Sequence, residues 1–321
     1  MTPSTPGLPA GFRDLLFEEA RRRREIESSS AAVFSDHGYR ELSPPSVELL
    51  EVYARGNQHV HQEAIKFLDK HDQLVALRAD FTPAIARIVS SRLAAIAGPH
   101  RIWYAGDVFR KVDPHQTRFC EFGQIGAELI GEPGAPGDQE ILELSMRLLD
   151  VLGFQNVQLH LNHAGVFGGL LRELGLDRRR ASEVRSEIDR KDTRGLARRL
   201  EDLGVAENTR RQVQALTVCI GGAEVLQEAR SLLQNPESTK ALDDLAGLAE
   251  TLAPWADRIV YDLSEIDEME YYTGIMFTFF SPQLRNELGK GGRYDGLLGA
   301  FGFDAPAVGF SLSMDRLVEL R

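Results

Sequence analysis

A chain of 321 residues, 43% hydrophobic and 26% charged, holds enough apolar material for one large core or two modest ones. Its formal charge of -11 disfavours nucleic acid as the main partner, because capture of a phosphate backbone needs a basic surface. Two cysteines, Cys120 and Cys219, exclude a disulfide framework; the first nine residues lack the pattern of a secretory leader and no stretch of about 18 apolar residues occurs, so a cytoplasmic protein without a membrane span is expected.

In chain order, residues 15–36 predict an amphipathic helix with apolar positions at Ile26, Val33 and Phe34. Its four arginines at 21–24 are flanked by Glu18, Glu19, Glu25 and Glu27, which favours a solvated face of i,i+4 ion pairs over a nucleic-acid patch. A short strand at 39–42 stopped by Pro44 and Pro45 follows, then a helix at 47–53. Residues 74–77 predict a strand, and Thr82 before Pro83 predicts an N-cap opening a helix to about residue 97. Strands at 101–110 and 119–130, joined by a polar segment with Pro114, predict a long-looped antiparallel hairpin. A helix at 138–152 and a strand at 157–161 come next.

The composition then changes. Residues 163–255 predict an inserted, mainly helical module, broken at Gly175, Gly204, Gly221, Gly222 and Pro236 and carrying an arginine-rich stretch from Arg172 to Arg199 that reads either as a solvated face or as a partner surface. Strands at 259–263 and 271–280, a glycine-rich stretch at 289–296, a strand at 308–312 and a last helix resume the first unit, so residues 1–162 and 256–321 are expected to form one core around the insertion.

Period 2 splits the segment 122–128 into two faces, with Gln124, Gly126 and Glu128 on one. Two readings fit: a strand that lays its backbone against a small polar ligand at Gly126, or a half-exposed sheet with a chance glycine. Tyr272 and Gly274 pose the same choice on a second strand. With Arg78, Asp80 and Thr82 at a strand-to-helix turn and Arg110 at the end of a hairpin strand, separate elements supply the groups an amino acid needs: carboxylate and hydroxyl for an ammonium, an acceptor such as Glu128 for an imidazole N–H. Gly289-Lys290-Gly291-Gly292 lacks the Ser or Thr of a phosphate loop, and His59, His61 and His71 show no metal-ligand spacing, so no metal and no cofactor are expected.

The chain resembles the catalytic core of class II histidyl-tRNA synthetases in Leu77-Arg78-Ala79-Asp80-Phe81-Thr82, in Val108-Phe109-Arg110 followed fourteen residues on by Gln124 and then Glu128, in Glu270-Tyr271-Tyr272-Thr273-Gly274, and in Gly291-Gly292-Arg293-Tyr294-Asp295-Gly296 with Val308-Gly309-Phe310 and Asp315-Arg316. That resemblance spans residues 11–320 and implies an α+β fold: an antiparallel class II sheet flanked by helices, with an inserted helical module. By the same resemblance histidine would meet Asp80, Thr82, Arg110, Gln124, Glu128, Tyr271 and Tyr272. Asp80 is one methylene shorter than the family's usual glutamate.

The nucleotide side departs from the pattern. Where synthetases carry arginine, glycine, leucine and aspartate, this chain has Asp267, Glu268, Met269 and Glu270, and Val112 replaces a glutamate that reads adenine. An anion in place of a preorganised cation costs about 100- to 1000-fold in rate before repulsion is counted. The chain also stops at Arg321, where synthetases continue into an anticodon-binding domain.

A kept amino-acid pocket beside a damaged nucleotide site resembles the regulatory subunits of short-form ATP phosphoribosyltransferase. The resemblance implies no catalytic residue of its own, no aminoacylation, a homodimer within a hetero-oligomer with the catalytic subunit, and L-histidine as the effector of feedback inhibition in the first step of histidine biosynthesis. The alternative is a free-standing enzyme that adenylates histidine.

Overall fold

The computed structural model of the chain describes residues 7–56, 58–111, 119–266 and 272–321, and among these all side chains other than those of Gln58, His59 and Arg178. Helix α1 (Phe17–Asp36) buries Ile26, Ser30, Val33 and Phe34, a single stripe at helical spacing. It ends at Gly38, whose φ of 78° is costly for other residues, with Gly38 N–H donating to Ser35 and Tyr39 N–H to Phe34. Arg21, Arg22 and Arg24 pair with glutamates on the same helix, as expected of a solvated face, whereas Arg23 reaches Asp107 elsewhere in the chain.

Strand β1 (Arg40–Glu41) leads to β2 (Val47–Leu49), α2 (Leu50–Gly56), α3 (Gln58–Glu63), β3 (Lys66–Leu68) and β4 (Leu74–Leu77), and β2, β4 and β3 form a small antiparallel sheet. The helix expected over 47–53 therefore starts only at Leu50. Val47 and Leu49 instead pair with Leu77 and Val75, and the alternation turns Glu48 inward to accept from Arg87 at 2.5 Å.

Helix α4 (Thr82–Ile88) passes into a π-helical turn, Val89–Leu93, so the regular helix expected to residue 97 is shorter. Ser91 donates to the carbonyl of Arg87 at 2.7 Å, a back-bond that competes with the helical ladder. Phe81, not Thr82, is the N-cap; its carbonyl takes the Ile85 N–H at 2.9 Å and Asp80 Oδ1 takes the Thr82 N–H at 3.1 Å, so the threonine hydroxyl does not serve as the cap.

Next come the paired ten-residue strands β5 (His100–Phe109) and β6 (Glu121–Ile130), α5 (Ala135–Val151) and β7 (Gln158–His163). Residues 164–252 hold α6 (Ala164–Glu173), α7 (Arg178–Asp189), α8 (Thr193–Asp202), α9 (Glu207–Leu216), β8 (Ile220–Gly221), α10 (Glu224–Leu232), α11 (Pro236–Gly247) and α12 (Ala249–Leu252). The chain closes with β9 (Ile259–Asp262), β10 (Ile275–Phe280), β11 (Gly289–Arg293), β12 (Ala307–Ser313) and α13 (Met314–Leu320).

Among the described residues one large sheet runs β1-β5-β6-β12-β11-β10-β7-β9-β8. It is antiparallel except where β1 joins β5 and β9 joins β7, so the expected antiparallel sheet is mixed towards its two edges. One face, with Ile125, Leu129, Phe310, Phe277 and Leu161, packs on α1, α5 and α13. The same apolar cluster continues through Val166, Leu170, Val184, Leu196 and Leu242 of the helical segment. On the opposite face α4 covers one end through Phe81, Ile85, Ile102, Tyr104 and Ile130, and a polar centre is left facing a cleft.

Candidate functional site

The cleft lies where β6, β12 and β11 run side by side under the start of α4. Strand register sets its floor: Glu128 sits opposite Gly309 on β12 and Ile102 on β5, while Gly126 sits opposite Ser311 and Tyr104. Residues directly opposite share a face, so Tyr104, Gly126, Glu128, Gly309 and Ser311 all belong to the side away from α1. Asp80 and Thr82 arrive from above on the β4–α4 turn. Walls that include Asp80, Thr82, Glu128, Tyr272, Lys290 and Tyr294 enclose about 70 Å³.

Glu128 is the centre of this arrangement. Its carboxyl is 1% exposed; Oε1 accepts from Thr82 Oγ1 at 2.7 Å and from Tyr104 Oη at 3.5 Å, and Oε2 accepts from Tyr294 Oη. Burial pushes its pKa up to about 8, against the donated hydroxyls from Tyr294, Thr82 and Tyr104, and the negative charge of Asp80 adds to the rise. Asp80 is half tied: Oδ1 takes the Thr82 N–H, and Oδ2 faces Arg110 Nη2 at 3.4 Å. Two carboxyls side by side, one buried and ringed by hydroxyls, suit a ligand with a ring N–H and an ammonium.

Of the residues expected from the sequence, Asp80, Thr82, Glu128 and Tyr272 meet at the cleft. Arg110 stands beside it, with Nε on the carbonyl of Ala79 at 2.8 Å and its guanidinium 5.5 Å from the Phe122 ring centre. Gln124 shares the face of Glu128 but lies four residues along β6, off the cleft wall, and its buried Oε1 has no hydrogen-bond partner among the described residues. Tyr271, the run Asp267 to Glu270, Val112 and the side chain of His59 lie outside the described residues.

At Gly126 and Gly274, where open ligand backbone is one of two readings of the sequence, the protein itself fills the space. A Cβ at Gly126 would meet the Phe310 carbonyl and, at 2.6 Å, the Tyr104 hydroxyl; one at Gly274 would meet Arg293 Cδ at 2.8 Å. Gly291 and Gly309 are the glycines that line the cleft, and a Cβ at Gly309 would collide with Glu128 Oε2. Sequence reasoning also passed over Tyr294, Tyr104 and Lys290 as site residues. Tyr294 stands within the Gly-Gly-Arg-Tyr motif and could have been found there; Tyr104 is placed by register with Gly126, which no local pattern carries.

A second polar strip continues along the same face. Thr278 donates to Glu265 at 2.7 Å, burial raises Glu265, and His160 Nδ1 lies 3.7 Å from Asp262. Lys191 donates to Ser264, and Ser264 Oγ stands 2.5 Å from Asp262 Oδ1, so the end of α7 is tied to the sheet here.

The family model described as histidyl-tRNA synthetase matches residues 11–317. A curated relative from Moorella thermoacetica, named ATP phosphoribosyltransferase regulatory subunit, is 35% identical over 98% of this chain and 82% of its own length. A relative of the same name from Carboxydothermus hydrogenoformans is 33% identical over 97% of this chain and 95% of its own. The chain belongs to the ATP phosphoribosyltransferase regulatory subunit family, a branch of the histidyl-tRNA synthetase family.

Solved structures agree with that placement. One titled an ATP phosphoribosyltransferase regulatory subunit/histidyl-tRNA synthetase from Bacillus halodurans C superposes with a TM-score of 0.91 at 30% identity, covering 99% of this chain and 84% of the other. A histidine–tRNA ligase subunit from Alicyclobacillus acidocaldarius superposes with a TM-score of 0.82 at 26% identity, over 99% and 98% of the two chains. This member of the regulatory subunit family thus has the class II synthetase fold, and none of its described helices is long and apolar enough to cross a membrane.

Proposed function

We propose that this chain is the non-catalytic regulatory subunit of a short-form ATP phosphoribosyltransferase, that it assembles with the catalytic subunit, and that the Glu128 cleft takes free L-histidine as the feedback effector. The observation that carries the reading is the buried Glu128 carboxyl, ringed by Thr82, Tyr104 and Tyr294 and set beside Asp80, in a chain whose relatives bear that subunit's name. A carboxyl held this way offers the imidazole a fixed partner, and Asp80 offers one to the ammonium. Feedback requires that histidine bind one assembly state more tightly than another, since equal affinity shifts nothing.

The test is reconstitution: the purified chain added to the isolated short catalytic subunit raises turnover, and histidine then suppresses it. Calorimetry of the chain alone shows histidine binding that Glu128→Ala abolishes. Unchanged turnover on mixing defeats the regulatory reading, and undiminished binding by Glu128→Ala defeats the site.

The adenylating alternative draws on the likeness to the tRNA ligase subunit. Arg316, which survives from the synthetase pattern, is turned to the carbonyl of Glu287. Histidine-dependent ATP to pyrophosphate exchange above background decides for the enzyme.

A further inference from the structure

We infer that Lys290 is the anchor for the carboxylate of the ligand, and hence the residue that makes the cleft select an intact amino acid over its decarboxylated amine. The inference rests on the histidine reading above and extends it to a residue that reading does not use.

Lys290 lies on β11 opposite Ser311 on β12 and Thr278 on β10, and Ser311 in turn lies opposite Gly126 on β6, so its side chain leaves the sheet on the face of Glu128. Two strand spacings and a two-residue offset put its α-carbon about 12 Å from that of Glu128. A flexible four-carbon stem can bring an ammonium back over much of that gap. Its flanking positions, Ser311 and Thr278, are small, which leaves the stem a path across them.

The charges of the cleft are lopsided without it. Asp80 and Glu128 supply two acids, and Lys290 is the one cation among the described residues that line the wall. Within the described residues no ion pair or hydrogen bond holds its ammonium. Glu265 feels its charge but already accepts from Thr278. Arg110, the other cation close by, is held by Ala79 and Asp80. A ligand whose ring reaches Glu128 and whose ammonium reaches Asp80 therefore meets one group suited to its anionic end, an exposed lysine at the mouth. The same ammonium would also suit a phosphate, so the test separates the two anions.

Full-length chain is titrated by calorimetry with L-histidine, histamine and ATP, using the unaltered protein, Lys290→Met and Lys290→Arg. A partly solvated charge-assisted contact corresponds to a loss of about five- to tenfold. Lys290→Met weakens histidine by that factor and leaves histamine unchanged, while Lys290→Arg keeps the affinity for histidine. Equal weakening of histamine, or unweakened histidine, overturns the assignment, as does a variant that loses only ATP. If the unaltered chain binds no histidine at all, the functional reading itself falls, a result distinct from either of these.

Discussion

A fully buried carboxyl with three hydroxyls in reach is poised between acceptor and donor, and Glu128 with its pKa near 8 sits at that balance around neutrality. The sign of the linkage follows from the upward shift. A raised folded-state pKa contributes stability that is complete below the ordinary glutamate value and is lost as pH rises through about 8. The window corresponds to at most about 5 kcal/mol. Denaturant unfolding at pH 5.5 and pH 8.5 therefore shows a fall in stability that Glu128→Gln, neutral throughout, reduces; an equal fall in the variant assigns the effect to other groups. Tyr294→Phe removes one donor to the anion, so it raises the Glu128 pKa further and extends the fall to higher pH.

At this scale the sequence shows residue type better than residue use. Period 2 on β6 singles out Glu128, and the turn before Pro83 brings out Asp80 and Thr82, and the three line one cleft. What it could not show is that Thr82 spends its hydroxyl on Glu128 rather than on capping, because that choice is made by a strand 46 residues away. Arg110 illustrates the same limit: its type suits a carboxylate ligand, but the nearby Ala79 carbonyl and Asp80 hold it at the side.

Among the elements, the close seam of β6 and β12 fixes the cleft floor. Gly309 faces Glu128 across the ladder, and a methyl there would occupy the space of Oε2. Since Glu128 is tied by hydroxyls on three sides, the strands must part or the carboxyl must leave its ring. Gly309→Ala is expected to cost about 1–3 kcal/mol by overpacking and to remove histidine binding; full stability and normal affinity together would show that the seam is slack. On the opposite face of β11, Arg293 is 4% exposed and donates to Asp138 at 2.7 Å and to the Gly134 carbonyl at 2.9 Å. Arg293→Met strands a buried carboxyl, and urea unfolding should record a loss of about 3–5 kcal/mol; a loss below 1 kcal/mol would mean that solvent reaches Asp138.

Elements with strong local signals were readable in outline: the long hairpin, the capless first helix ending at glycine, the terminal helix. The segment 47–53 was not, because a helix and a short strand of mixed residues look alike over seven positions, and the pairing that decides for Val47 and Leu49 comes from β4. The order of the large sheet was equally hidden. Strands β10, β11 and β12 enter between β6 and β7, so the ladder is completed only after the whole helical segment has been made.

Across the whole molecule, the open question is whether the helices between β7 and β9 act as a unit of their own or as part of the sheet. The sequence reading set residues 163–255 apart on composition, yet one apolar cluster runs from Phe310 and Phe277 through Leu161 into Leu170, Val184 and Leu242 without a polar layer between. Polar ties cross the same seam: Lys191 to Ser264, and Trp255 Nε1 to Asp150 Oδ2 at 2.5 Å. A shared core makes independent unfolding costly, since it would bare apolar surface on both parts. The two tryptophans allow a direct check. In Trp255→Phe the remaining Trp103, 6% exposed on β5, reports the sheet by fluorescence, while far-ultraviolet dichroism is dominated by the helices. The two transitions should coincide, and histidine at about 100 times its Kd should move both by about 2.7 kcal/mol. Helicity that melts first, at a midpoint indifferent to histidine, would show instead that the helical segment is a separate module and that the ligand is sensed by the sheet alone.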